Sequence, residues 1–195
     1  QVHLDQLDHG SHGVYIIPSK ADDSDDWKVD VTALVANDTV SGRPVTVKAT
    51  IRHPDSFDDV LELGKKGLLR FDPKDMYDSN GTQVGEKTVS ITANRQSATE
   101  AKLTIDVSNP KLWNGVEFPY RYVARIEVYE GSDTSGALLD SYECMIGFRS
   151  YEAVRTDSNG YGTVGDGFYL NGEFYPLRGM AFHEDWPGFG RALTK

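Results

Sequence analysis

Cysteine is almost absent from this sequence. Cys144 stands alone among 195 residues, so no disulfide can close within the chain. Its place in an alternating apolar segment predicts a small buried hydrophobe rather than a reactive thiol. Long apolar runs are also missing: no stretch approaches the ~18–20 residues of a membrane-spanning helix, and no membrane partner is expected. Positive charge is in deficit, with 20 Lys and Arg against 30 Asp and Glu and a net charge of −10. A phosphate-binding surface needs clustered cations, so nucleic acid is not expected as a partner either. The start, Gln1-Val2-His3-Leu4-Asp5, has neither the basic flank nor the apolar core of a signal peptide. Its first residue is not Met and suggests a processed or engineered boundary, so the compartment is not written there; a periplasmic or secreted parent is compatible with it.

Several catalytic signatures are lacking as well. There is no Gly-x-Ser-x-Gly elbow and no Gly-rich phosphate loop that follows a strand and opens a helix. No cofactor is expected. The acidic run Asp22-Asp23-Ser24-Asp25-Asp26 lacks the glycine and spacing of a calcium loop and reads as a solvated turn. His3, His9 and His12, with Asp5 and Asp8, match no metal-ligand spacing and read as a mobile N-terminal segment. No metal site is expected. Two sequons, Asn37-Asp38-Thr39 and Asn80-Gly81-Thr82, matter only where secreted proteins are glycosylated.

What the sequence has is alternation of period two, over about residues 13–148. Trp27, Val29, Val31, Ala33 and Val35 share one strand face, with Lys28, Asp30 and Thr32 opposite. The pattern repeats through Val45, Val47, Ala49 and Ile51; Val89, Ile91 and Ala93; Leu103, Ile105 and Val107; and Tyr122, Ala124, Ile126 and Val128. A last face comprises Leu138, Tyr142, Cys144 and Ile146. Turn clusters separate these runs, and no segment has a helical period of adequate length. About seven short strands with frequent turns predict an all-β, immunoglobulin-like antiparallel sandwich. The range 60–83 is the least regular and is expected to hold loops or an extra hairpin.

The character changes after Ile146. Tyr151 to Gly167 is polar and Gly-rich and reads as a linker. Phe168-Tyr169-Leu170, Asn171-Gly172 and Glu173-Phe174-Tyr175 predict a tight hairpin, with Asn-Gly supplying the positive φ angles of a type I′ turn. Leu177 to Phe182 is expected to continue as a strand. The expected organisation is an N-terminal linker over 1–12, a sandwich over 13–149, and a C-terminal extension over 150–195.

The sharpest chemical constellation is His183-Glu184-Asp185-Trp186. A Trp offers a flat apolar face to a sugar ring, while His and Asp can hydrogen-bond its hydroxyls. A polar turn would contain the same residues, and on spacing alone both readings stand. Retaining glycoside hydrolysis needs two carboxyl groups ~5–5.5 Å apart, and nothing in the sequence pattern selects two of its many acids.

These pieces, in their order, resemble glycoside hydrolase family 2, the family of bacterial β-galactosidases, β-glucuronidases and β-mannosidases. Asn109-Pro110-Lys111-Leu112-Trp113 resembles its PxLW turn, Phe118-Pro119-Tyr120 the opening of its next strand, and Ile146-Gly147-Phe148-Arg149 its FGFR strand end. Phe168-Tyr169-Leu170-Asn171-Gly172, Leu177-Arg178-Gly179, His183-Glu184-Asp185 and Gly190-Arg191-Ala192 resemble its LNG, LRG and HED signature. Gly13-Val14-Tyr15-Ile16 is similar to its entry into the sandwich.

The resemblance implies a retaining β-glycosidase, a β-galactosidase first of all, with a jelly-roll domain before this chain and a (β/α)₈ barrel of about 250 residues after it. Its partners would be that jelly roll, that barrel and a β-glycoside substrate. Both catalytic glutamates would lie outside the chain. If Leu177 to Phe182 is the first barrel strand, His183 and Asp185 sit at its C-terminal end, where barrel active sites form. The resemblance implies that these two contact sugar hydroxyls, while Arg178 and Glu184 support them from behind. The alternative from another class is an immunoglobulin-like module that binds a carbohydrate or protein through its aromatics, which include ten Tyr.

Overall fold

The computed structural model describes residues 1–53, 81–115, 118–155 and 165–179. It divides into two compact units, Gln1–Ser150 and Tyr151–Lys195. Among the described residues the regular structure is strand, apart from a single turn of 3₁₀ helix at Asp8–Gly10.

The first unit is built from two antiparallel sheets. In one, β3 (Trp27–Asn37) is central, with β6 (Ser97–Val107) along one side and both β1 (Val2–Leu4) and β2 (Val14–Lys20) along the other. The second sheet runs β10 (Leu138–Ile146), β9 (Tyr122–Glu130), β4 (Arg43–His53), β5 (Thr82–Ala93). This is the expected antiparallel sandwich, and it does not close into a barrel. A small ribbon of β7 (Trp113–Asn114) and β8 (Phe118–Pro119) lies in the connection between β6 and β9.

Alternation determines the core. Trp27, Val29, Val31, Ala33 and Val35 of β3 are buried and pair in register with Val107, Ile105, Leu103, Ala101 and Thr99 of β6. Facing them, Val45, Val47, Ala49 and Ile51 of β4 are buried beside Ala124, Ile126 and Val128 of β9. Each fully buried Val or Ile removes apolar surface worth about 1.5–3 kcal/mol from water. One turn between strands demands glycine for space: a Cβ on Gly136 would fall 1.7 Å from the carbonyl oxygen of Glu130, in the β9–β10 turn.

Three expectations are corrected. The N-terminal segment is not simply mobile: Val2–Leu4 pairs with Val35–Asn37, and Val2 and Leu4 join the core. Two apolar residues spaced by one suffice to bury a three-residue strand once β3 offers an open edge. Leu138 does not face the core. A register shift between Leu138 and Asp140 interrupts the alternation, so Leu139 packs inward while Leu138 is exposed. The linker expected over Tyr151 to Gly167 begins as a strand, β11 (Tyr151–Val154). Its residues pair with a neighbour that the local polarity does not reveal.

That neighbour is β12 (Gly167–Leu170), which in turn pairs with β13 (Glu173–Phe174) to make the three-stranded sheet of the second unit. The hairpin turn is the one expected: Asn171 and Gly172 have φ of 53° and 84°. Leu177 to Gly179 carries no strand, and the rest of the strand expected there lies outside the described residues. So does most of the irregular range 60–83, whose last residues, Thr82 and Gln83, open β5.

Candidate functional site

Three motifs singled out in the sequence, two of them close together and the third beyond β10, meet at one end of the sandwich. Asn109 turns the chain after β6 with φ of 40°, and its amide donates to Asp26 Oδ1 at 3.1 Å. Lys111 follows, and its amide donates to the Tyr122 hydroxyl at 2.8 Å. The Trp113 amide then donates to the Phe148 carbonyl at 2.9 Å, which joins the first motif to the last. A Cβ on Gly147 would come within 3.2 Å of Trp113 Cβ, so glycine is what lets the two segments approach.

An aromatic cluster fills this end. Phe148 presents its ring edge-on to Trp27 at 5.5 Å and to Tyr122 at 4.9 Å between centroids. Tyr120 lies 5.9 Å from Tyr122. Such edge-to-face pairs contribute about 0.5–1.5 kcal/mol each beyond simple burial. His53, the last residue of β4, hydrogen-bonds through Nε2 to the Tyr120 hydroxyl and stands edge-on to Tyr122 at 5.6 Å. Two cations cap the rim: Lys111 Nζ lies 4.8 Å over the Tyr120 ring and Arg149 Cζ 4.7 Å over the Trp113 ring. Sequence reasoning missed His53 and Trp27 as members of this cluster. His53 only ends a strand, and Trp27 opens one on the apolar face, so neither carries a local signal.

The chemistry of this arrangement is that of a rigid joint. Tyr120, Tyr122 and Phe148 are 4 %, 3 % and 0 % exposed and offer no flat face to a sugar. Among the described residues no group of three His, Cys, Asp or Glu side chains could hold a metal ion. Cys144 is partly buried against the core, and burial raises its thiol pKa, with a smaller opposing effect from a hydrogen bond to Tyr142. It is therefore a poor nucleophile. The run Asp22–Asp26 is an exposed turn, apart from the Asp26 carboxylate that receives Asn109.

In the second unit Leu170 is buried, whereas Tyr151, Phe174 and Leu177 are exposed. Partners in the ladder place Tyr151 and Leu170 on one face and Tyr169 and Phe174 on the other. Aromatic pairs lie on both faces, with Tyr151–Phe168 at 6.1 Å and Tyr169–Phe174 at 5.8 Å. Of the predicted site residues, Arg178 follows this sheet and is exposed. His183, Glu184 and Asp185 lie outside the described residues.

Comparison with known proteins covers the motifs at Trp113, Tyr120 and Phe148. Residues 71–149 match the model of glycosyl hydrolases family 2. A β-glucuronidase from Bacteroides fragilis is 34 % identical over 92 residues, covering 47 % of this chain and 11 % of that protein. A solved structure from Bacteroides fragilis, described as a candidate β-galactosidase, superposes with a TM-score of 0.68 at 26 % identity, covering 99 % of this chain and 23 % of that one. A Bacteroides uniformis β-glucuronidase gives a TM-score of 0.67 at 23 % identity, covering 99 % and 19 %, and supports the fold alone. The chain thus spans about a tenth of the curated relative and about a fifth of the solved chains.

Proposed function

From a chain that carries a segment of glycosyl hydrolases family 2, we propose that it is the support region of a retaining β-glycosidase. The observation that carries this reading is the meeting of Trp113, Tyr120 and Phe148 in one joint, inside the segment that matches the family. A spacer domain has to hold an orientation, and an end locked by aromatic packing, a main-chain bridge and two stacked cations is rigid. The catalytic glutamates belong to the barrel of the parent enzyme. One protonates the glycosidic oxygen while the other attacks the sugar and forms the glycosyl-enzyme, which water then hydrolyses.

The second unit leads into that barrel. A three-stranded sheet with aromatics on both faces cannot cover itself, and the barrel is its partner in this reading. His183 and Asp185 then contact sugar hydroxyls where the chain enters that barrel, with Arg178 and Glu184 holding them in place. β-Galactosides and β-glucuronides are the two substrates to compare, because proteins of both names are among the relatives. The glucuronide comes first, since the 34 % identical relative is a β-glucuronidase. The test is a panel of chromogenic β-glycosides given to the full-length parent. Hydrolysis of one of them, with the β-anomer released first, supports the reading; release of the α-anomer overturns the retaining mechanism.

A further inference from the structure

The sequon Asn37-Asp38-Thr39 has no part in that function, and its geometry leads elsewhere. An acceptor asparagine is ordinarily found on a surface loop. Asn37 is instead the last residue of β3 and 1 % exposed. Its Nδ2 donates both of its protons, to the Ala93 carbonyl at 2.9 Å and the Ser41 carbonyl at 3.0 Å. Its Oδ1 accepts from the Thr39 amide at 2.9 Å, and the one Thr39 hydroxyl proton lies between Oδ1 at 2.7 Å and the Ser41 carbonyl at 2.9 Å. The amide therefore donates both protons, and its oxygen is held by Thr39. Ala93 ends β5 in one sheet and Asn37 ends β3 in the other, so the side chain pins the two sheets together. The threonine that completes the sequon belongs to the same knot.

We infer that Asn37-Asp38-Thr39 is a closed structural knot that takes no glycan in the folded chain. Transfer from a lipid-pyrophosphate-linked oligosaccharide forms a bond from Nδ2 to the sugar C1. It breaks the C1 bond to pyrophosphate and releases one Nδ2 proton. A single N–H would then face two carbonyls, and either the buried bond to Ala93 or the bond to Ser41 would be lost. Chains glycosylated at Asn37 before folding do not reach this fold.

The test uses the chain expressed as a secreted protein in a eukaryotic host, carrying Asp133→Asn. This change creates Asn-Thr-Ser in the exposed β9–β10 turn and reports that the host transferase has acted. Peptide mass spectrometry of secreted, cooperatively melting protein is expected to find position 133 occupied and Asn37 bare, with any Asn37 glycan confined to retained, unfolded protein. Folded secreted protein bearing a glycan at Asn37 would overturn the inference. A second measurement gives the purified folded variant to oligosaccharyltransferase with its lipid-linked donor. Position 133 is expected to react at once and Asn37 only after unfolding; transfer to Asn37 in the folded chain would count against the knot.

Discussion

The amide of Trp113 donates to the carbonyl of Phe148 at 2.9 Å, across a stretch of sequence that holds the whole of β9 and β10. This one bond fastens the turn that follows β6 to the segment that follows β10. The glycine at 147 permits it, and Arg149 closes it from outside by stacking on the Trp113 ring.

Removing the ring at the centre of the joint is expected to be costly. Phe148 is fully buried and touches Trp27 and Tyr122 edge-on. Phe148→Ala should destabilise the sandwich by about 3–5 kcal/mol. Urea unfolding followed by Trp fluorescence measures this, and a loss well under about 1 kcal/mol would show that the joint is not part of the cooperative core.

Adding bulk at the contact tests its closeness. Gly147→Val places branched carbon against Trp113 Cβ, where even one Cβ would stand at 3.2 Å. Overpacking of this kind costs about 1–3 kcal/mol. The same unfolding experiment reads it.

Loss of the amide at position 37 is expected to leave the buried Ala93 carbonyl short of this donor, while the Ser41 carbonyl keeps the Thr39 hydroxyl. Asn37→Ala should cost about 1–3 kcal/mol. Asn37→Asp has nearly the same shape but cannot donate, so it should be at least as damaging. Equal stability of the Asn37→Asp variant and wild type in urea unfolding would contradict the assigned hydrogen bonds.

A weak pH dependence should come from His3. Its pKa is raised in the folded chain, first by the bond from Nδ1 to the Leu4 carbonyl at 2.8 Å, and further by Asp38, whose Oδ2 lies 3.2 Å from Nε2. A raised folded pKa gives stability that is fully present below the unfolded value of about 6.5 and is lost as pH rises through the folded value. The pair is partly exposed, so the effect should be a fraction of a kcal/mol and smaller at high salt. Melting curves between about pH 5 and 8 for wild type and His3→Gln check the sign: the difference should shrink as pH rises.

Burial of Cys144 predicts a slow thiol. Alkylation by iodoacetamide at neutral pH should be slow in the native chain and fast in denaturant, because burial keeps the thiolate scarce and shields it. Rapid native labelling would place that side chain at the surface.

Most of the sandwich was legible because each strand buries one face, and alternation records that face directly. Where legibility failed, a non-local partner decided the outcome. Tyr151–Val154 reads as linker and becomes strand only because β12 lies alongside it. Val2 and Leu4 are too short a pattern to announce a strand without the open edge of β3. Leu138 takes the wrong face in the alternation because a bulge shifts the phase by one residue, and nothing in the local sequence marks it. The sequon at Asn37 gives no local sign of its burial, since one carbonyl that holds it comes from Ala93, 56 positions away. The joint was legible through the family motifs at Trp113, Tyr120 and Phe148, whereas His53 enters it only through the fold.

We propose that this chain supports catalysis and does not perform it. The direct measurement is turnover of chromogenic β-glucuronides and β-galactosides by the purified chain of 195 residues alone, beside its His183→Ala variant. No hydrolysis above the uncatalysed rate is expected from either protein. Turnover by the chain alone, whether or not it is lost with His183, would contradict the proposal.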